Sequence, residues 1–455
     1  MKNNKYIAAF VAVVLSVSAY AQETRNLSLD EAITLSLQNS KQLKLNGAKV
    51  SEAAASLREA RERRLPDLNV SGSYLRLNQP NIDLKVKLGS SSGSGGEGGS
   101  GSGSSASAMP TVNQAAYAMA NLAIPVFAGF KIQNGINAAK YLQKATTLDA
   151  ENDREEVIAN TIAAYSNMYK AKAALEIVKE NLKQSHQRVQ DFSNMEKNGL
   201  MARNDLLKVQ LQESNIESAL LDAENNWKIT YISMNLMLGL PEETILIPDS
   251  AAFVPVSDSK NFETWESMAL QSRKDLDAMN WRIKAAKAGV KAAQGDYYPS
   301  LALTGGYIAA DIPNLVTLTN VINGGVGVKY SPSSLWKTGS KVAQAKARLH
   351  ESEISQDMMS DNVRLQVAQA YQNYLSATKK IDVYNTAREQ ANENYRIVKN
   401  KYDNSLATTT DLLDADVAQL QAQLNYAFSK ADAVVAYKKL LLTAGTLDAQ
   451  TTNNQ

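Results

Sequence analysis

The sequence predicts an α+β membrane protein of two internal structural repeats, each joining two β-strands to a very long antiparallel α-helical coiled coil. Three observations predict it. First, KNGLMARNDLLKV (197–209) and KYDNSLATTTDLLDA (401–415) both run from a polar turn into Asp-Leu-Leu, with Asp205, Leu206 and Leu207 lying 206 positions before Asp411, Leu412 and Leu413. Second, residues 136–198 and 340–444 contain neither Gly nor Pro. At about 1.5 Å per residue, the roughly 60 residues before the first turn make a rod of about 90 Å, too long for a compact domain. Third, Ile82, Leu84, Val86 and Leu88 alternate with Asp83, Lys85 and Lys87, the two-residue period of a strand with one apolar and one charged face.

Composition bounds the class. The chain has 455 residues, 44% of them hydrophobic, enough for a large folded protein. Its formal charge of +2 gives no bulk attraction for nucleic acid. The absence of cysteine excludes disulfides, thiol catalysis, Cys-ligated metals and a lipidated N-terminal cysteine. The start, MKNNKYIAAFVAVVLSVSAYAQ, has a basic opening, an apolar run from Tyr6 to Val17, and small residues at Ala19 and Ala21. That is the pattern of a secretory signal peptide over 1–21, cleaved after Ala21. Its loss removes Lys2 and Lys5 and leaves a formally neutral mature chain. No later segment qualifies as a membrane helix, so membrane insertion would have to use strands, because only helices and closed barrels satisfy their backbone groups in lipid.

In order, residues 26–64 read as helix, with apolar side chains at three- and four-residue spacing and Ser28 poised as a cap before Glu31. LPDLNVSGSY breaks it. The pattern returns from Thr264 with a constant offset of 233: Leu37 matches Leu270, Lys41 Lys274, Leu43 Leu276, Ala60 Ala293, Pro66 Pro299, Leu68 Leu301, Gly72 Gly305 and Tyr74 Tyr307. Strand candidates are Ile82–Leu88, Tyr117–Val126, Leu301–Ala309 and Val326–Tyr330, each near or below the roughly 9–11 residues a tilted membrane strand needs. Two fall in each half.

The Gly/Ser-rich stretch 89–108 is too poor in apolar residues to fold on its own. The halves match at an offset of 233 before it and 206 after it, so the first half carries 27 additional residues here, as expected of an expanded hairpin loop. Its GxGxxG spacing at Gly93, Gly95 and Gly98 precedes no helix and carries no nucleotide site.

Within the first rod, Met168, Leu175, Leu182 and Val189 repeat every seven residues, with Ala171, Val178 and Phe192 three residues behind members of that series, the seam of a left-handed coiled coil. The second rod echoes it through Ile381, Tyr384, Tyr395 and Val398, with Arg388 where Leu182 stood. The helices returning from the turns, 204–238 and 410–443, are about half a rod, as are the opening helices of each half. Two halves stacked end to end would pair with one whole. The domain division expected is a signal peptide (1–21), repeat 1 (22–239, turn 197–205), an irregular connector (240–263), repeat 2 (264–445, turn 401–411) and a tail (446–455). His186 and His350, the sole histidines, lie on the rods without a catalytic or metal-binding setting, so no enzyme, metal or cofactor is expected.

Four strands cannot stand alone in a membrane, where open edges are costly and the smallest single-chain barrels have about eight strands. Self-association follows. The segments SLDEAITLSLQNS, LPDLNVSGSY, IPVFAGF, NGLMARNDLL, YPSLALTGGY and YDNSLATTTDLLDA, in this order and duplication, resemble the TolC-like outer-membrane factors of Gram-negative efflux and type I secretion. The resemblance implies a homotrimer whose four strands per chain complete a 12-stranded transmembrane β-barrel, continuous with a helical barrel in the periplasm. It implies that the connector and the tail form a belt around that barrel. It also implies a passive exit duct through outer-membrane lipid, working with a periplasmic adaptor (membrane fusion) protein and an inner-membrane RND or ABC pump. The competing reading of the residues is an exported coiled-coil adhesin or scaffold without a pore.

In that family the turn nearest the inner membrane forms a closed iris, and its Tyr, Arg, Asp, Asp pattern falls here on Tyr402, Ala407 in place of Arg, Asp411 and Asp414. The resemblance implies that Tyr402 hydrogen-bonds across to Asp205, and that without the Arg one intersubunit link is missing. Three chains would bring six carboxylates from Asp411 and Asp414 near one axis, where mutual repulsion raises carboxylate pKa values. Plain helix initiation is the other reading, since Thr408 to Asp411 has capping-box spacing. Lys208 occupies the position equivalent to Asp414. The protruding loops Asn198–Gly199–Leu200 and Asn404–Ser405–Leu406 are the expected docking points for the adaptor.

Overall fold

The computed structural model describes residues 24–78, 112–255, 258–313 and 315–447. The expected signal peptide, strand 82–88, Gly/Ser loop 89–108 and residues 448–455 of the tail lie outside the described residues. The elements run β1 (Thr24–Leu27), α1 (Leu29–Asn39), α2 (Lys41–Glu62), β2 (Asp67–Arg76), β3 (Gln114–Ala128), α3 (Lys131–Lys197), α4 (Arg203–Leu238) and β4 (Ile245–Pro248). They continue with α5 (Phe262–Ser272), α6 (Lys274–Gln294), β5 (Ser300–Ile312), β6 (Val316–Lys329), α7 (Ser334–Asp403) and α8 (Thr409–Thr443). Repeat arithmetic holds at the level of elements: α5, α6 and β5 begin 233 positions after α1, α2 and β2, and α8 begins 206 after α4.

Two local expectations change. The opening helix of each half is not continuous, because Ser40 and Arg273, again 233 apart, are extended, with ψ 120° and 125°. Each break is capped locally: the Ser40 hydroxyl accepts a hydrogen bond from the Leu43 N–H at 3.3 Å, and the Asp275 carboxylate accepts one from the Leu276 N–H at 2.9 Å. Apolar spacing carries straight through one extended residue, so periodicity alone misses it. The connector also contains regular structure, with β4 pairing in parallel with β1.

Among the described residues, one compact unit comprises 24–52, 143–282 without 256–257, and 353–447. Its core has two clusters. Ile158 and Ile162 of α3 pack with Val363 and Val367 of α7, Leu440 of α8 and Trp265 of α5. Tyr165, Met168, Ala171 and Leu175, the next turns of the heptad seam, pack with Trp227, Tyr231 and Met234 of α4 and with Leu27 and Leu246 of the small strand pair. Each fully buried large side chain contributes about 1.5–3 kcal/mol relative to exposure. The Tyr165 hydroxyl donates to the Leu27 carbonyl at 2.8 Å and accepts from the Asp249 N–H at 2.8 Å, and burial pushes its pKa up to about 12. It ties the connector to the first rod.

The second unit, whose described residues are 53–78, 112–142 and 283–352 without 314, holds a four-stranded antiparallel sheet in the order β2-β3-β5-β6. The first strand of repeat 1 is therefore Asp67–Arg76, in the LPDLNVSGSY segment that breaks the opening helix. Register separates two faces. Leu68, Val70 and Tyr74 lie opposite Leu122, Ala120 and Ala116, and β3 continues through Ile124 and Ala120 onto Leu303 and Tyr307, which face Val326 and Ile322. Most of these large apolar side chains are exposed, Ile322 by 81%. The other face carries Asn69, Ser71, Ser73, Asn121, Thr304 and Asn323. Among the described residues, β2 and β6 are each paired on one side only. Between β3 and α3, Gly129 takes a positive φ of 60° and passes so close to Gly295 that a Cβ on either would collide with the other's carbonyl.

Candidate functional site

The two turns begin from the same local chemistry. At the end of α3, Gly199 is left-handed (φ 73°), its N–H bonds Glu196 O at 2.9 Å, and the Leu200 N–H reaches back to Met195 O at 2.9 Å. The end of α7 repeats the motif at the 206 offset, with Ser405 left-handed (φ 60°), Ser405 N–H on Tyr402 O at 2.8 Å and Leu406 N–H on Lys401 O at 2.7 Å. Both are helix-stopping motifs that satisfy otherwise orphaned carbonyls. Beneath them Phe192, Leu206, Val209 and Leu412 form a small buried core against Val189, Tyr395, Val398 and Tyr402.

The helices that leave the turns start differently. Thr408 caps α8 in a full capping box: its hydroxyl accepts from the Asp411 N–H at 3.1 Å, and the Asp411 carboxylate accepts from the Thr408 N–H at 2.8 Å. The Thr408 hydroxyl also donates to the Asp411 carboxylate at 2.7 Å, and this bond, then the one from the Thr408 N–H, holds the Asp411 carboxyl below its ordinary pKa. Ala202, the equivalent residue before α4, offers no side-chain cap. There Asp205 accepts a hydrogen bond from Lys208 Nζ at 3.3 Å instead.

Within the chain, the structure brings some of the expected gate residues together and separates others. Tyr402 does not hydrogen-bond Asp205. Its side-chain partner is Thr409, its ring stacks on Phe192 at 5.4 Å with 6° between planes, and its pKa is raised by burial, then by the Asp205 charge nearby. The polar link between the turns is Lys208 Nζ, which reaches Thr410 Oγ1 at 3.5 Å. Asp411 is committed to its cap, whereas Asp414 is exposed and has no side-chain partner among the described residues. Leu200 and Leu406, at the tips, are 78% and 77% exposed.

The strongest polar element near the turns was not anticipated from the sequence. Arg188 of α3 donates from Nη1 and Nη2 to the two carboxylate oxygens of Asp416 on α8, both at 3.0 Å, and from Nη2 to the Tyr395 hydroxyl of α7 at 3.1 Å. The pair is buried, with 9% and 2% side-chain exposure. Burial works to lower the Arg188 pKa, but the hydrogen bonds and charge of Asp416 outweigh it and raise it. A bidentate pair of this kind is rigid as well as strong. The seam shifts to admit it: Met168 to Val178 and Phe192 are buried as the heptads require, but Leu182 and Val189 are half-buried while Ser185 and Arg188 turn inward. The 206-offset counterparts are Asn394 and Gln210, so the bridge is not repeated at the equivalent place in the duplication. A signal was present in the acidic run Asp411, Asp414, Asp416, where helical geometry puts Asp416 five residues from Asp411 on the buried side.

A family model for outer membrane efflux proteins matches residues 32–240 and 265–446, one segment in each repeat. The chain belongs to this family. It is therefore an outer-membrane protein of the efflux and secretion channel class. This outer membrane efflux protein is 25% identical over 333 residues to the outer membrane efflux protein BepC of Brucella suis biovar 1 (strain 1330), covering 71% of each chain. It is 24% identical over 323 residues to the toxin and drug export protein A of Aggregatibacter actinomycetemcomitans, covering 68% of this chain and 67% of that one. Its fold is similar to that of the Campylobacter jejuni CmeC outer membrane channel, with a TM-score of 0.74 at 18% identity over 94% of this chain and 88% of CmeC. Among the described residues no helix is long and apolar enough to cross a membrane.

Proposed function

We propose that three copies close their open sheet edges into a 12-stranded barrel, forming a passive exit duct gated at the paired turns. The observation that carries this reading is the four-stranded sheet: one face of exposed apolar side chains, an opposite face that holds its Asn, Ser and Thr side chains beside Tyr117, Met119, Ile308 and Val321, and two edge strands each paired on one side only among the described residues. In hydrocarbon an open edge leaves unsatisfied backbone groups at several kcal/mol each, so closure by copies of the same sheet is the low-energy solution. A pore-free scaffold has no use for such a sheet.

The gate in this reading is a ring of turns. Asp414 supplies the free carboxylates facing the constriction, one per chain, while Asp411 starts α8. Lys208, which also holds Asp205, and the Tyr402–Phe192 stack join the turns within a chain, and Arg188 locks α3 to α7 and α8 behind them. The exposed Leu200 and Leu406, with Asn198, Gly199, Asn404 and Ser405, offer apolar tips to a periplasmic adaptor, and the pump behind that adaptor supplies energy and substrate choice. A heat-modifiable trimer in outer-membrane fractions tests the assembly, and a strictly monomeric protein there would sink it. Single-channel recording tests the gate. Ala407→Arg should lower open probability by adding a polar link across the iris, and identical wild-type and variant traces would remove Ala407 from the account.

A further inference from the structure

A second built feature lies in the sheet-bearing unit, where β6 hands over to α7. A cavity of about 370 Å³ opens there among Lys131, Lys329, Lys337 and Lys341, with Asp296 the lone acidic residue lining it. Asp296 pairs with Lys131 and, at 3.0 Å, with Lys341. Lys329 and Lys337 find no ion-pair partner among the described residues. The cavity thus holds four lysines to one carboxylate, and two of the four are not neutralised by it. The wall between them is rich in hydroxyls: Ser331 and Ser333 touch at 3.0 Å, Thr338 is buried, and Ser334 Oγ is shut off from solvent without a hydrogen-bond partner. Positive charge in excess, donors in a cluster, and one unsatisfied buried hydroxyl are the makings of an oxyanion site.

Register says which side of the sheet it serves. Ala128, Ser300 and Lys329, the strand residues of the cavity, pair in one row. That row belongs to the polar face, opposite the face of Leu301 and Val328. In a duct of the kind proposed above, on which this inference rests, the polar face is the wet one.

We propose that this cavity is a lumenal oxyanion site, taking a phosphate-type group on a water-borne solute through Lys329 and Lys337, with Lys131 and Lys341 holding the site together through Asp296. It makes this region of the wall anion-attracting, in contrast to an acidic gate built on Asp414.

The test uses the purified full-length trimer, with inorganic pyrophosphate as probe. Calorimetric titration should detect pyrophosphate binding to wild type, weakened about tenfold in Lys329→Gln/Lys337→Gln, the loss expected from two solvent-screened charge contacts. In planar bilayers, pyrophosphate should reduce wild-type current, and the same double variant should resist that reduction and shift selectivity toward cations. Both lysines are exposed, so the trimer band should persist in the variant. Equal pyrophosphate affinity in wild type and variant overturns the site. Co-purified phospholipid that native mass spectrometry finds on wild type and not on the variant overturns its lumenal placement and assigns the cavity to a lipid phosphate. Binding without any conductance would leave the site standing and count against the duct.

Discussion

The two turns of this chain are copies that have diverged in how they are held. Both end a rod with the same left-handed stop and both drive a leucine, Leu206 or Leu412, into one shared core. The first turn uses Gly199, leaves Ala202 without a cap and lets Lys208 satisfy Asp205. The second accepts a strained Ser405, caps its helix with Thr408 and Asp411, and is backed by the Arg188–Asp416 bridge. Apolar contacts between the copies are kept because both halves share them. Polar contacts are free to differ, and they make the second turn the more firmly determined of the two.

The largest expected effect comes from breaking the bridge. Arg188→Met strands the buried Asp416 carboxylate, and loss of one partner of a buried pair costs about 3–5 kcal/mol. Thermal unfolding of the trimer reads this, and adding Asp416→Leu should recover most of the loss. A single variant that melts like wild type would mean that the bridge does not hold these helices. Next, Thr408→Ala should cost about 1 kcal/mol, as typical N-cap losses do, whereas Ala202→Ser should be neutral or stabilising. Hydrogen exchange across 402–412 and 196–206 compares them, and equal responses would erase the asymmetry.

Exchanging the stop residues is subtler. Ser405→Gly should stabilise by about 0.5–1 kcal/mol through relief of left-handed strain, and Gly199→Ser should destabilise by about 1 kcal/mol. A stabilising Gly199→Ser would contradict the assignment of strain to that conformation. The smallest effect is that of pH on the α8 cap. Because Asp411 titrates below its ordinary 3.8 in the folded chain, its contribution is present above that value and lost as pH falls through the folded pKa. Protection around Thr408 should therefore be flat from about pH 5 to about pH 8 and fall only in more acidic solution. A drop near neutral pH would show that another group controls the turn.

Much of this was legible in the residues. The Gly- and Pro-free runs specified α3, α7 and α8, since nothing in them interrupts a helix. The offset of 233 aligns the opening helices and sets Pro66, Leu68, Gly72 and Tyr74 against Pro299, Leu301, Gly305 and Tyr307, yet the clearest alternation of the first half falls at 82–88 and hides the strand at Asp67–Arg76. At the site, Thr408 and Asp411 announced their capping box because N-cap chemistry acts over three residues. Within the chain Tyr402 meets Thr409 and not Asp205, because packing and not local sequence decides which polar group its hydroxyl meets. Single extended residues such as Ser40 also escaped, since they leave apolar spacing intact.

The sequence by itself determined the long helices, their turns and the duplication of the chain, because propensity, capping and periodicity act over a few residues. Tertiary structure alone decided that Arg188 meets Asp416 across 228 positions, and that four lysines line one cavity with Asp296. Such meetings depend on which helix packs on which and in what register. A charged residue on a rod carries no local mark of whether water or a distant carboxylate will receive it.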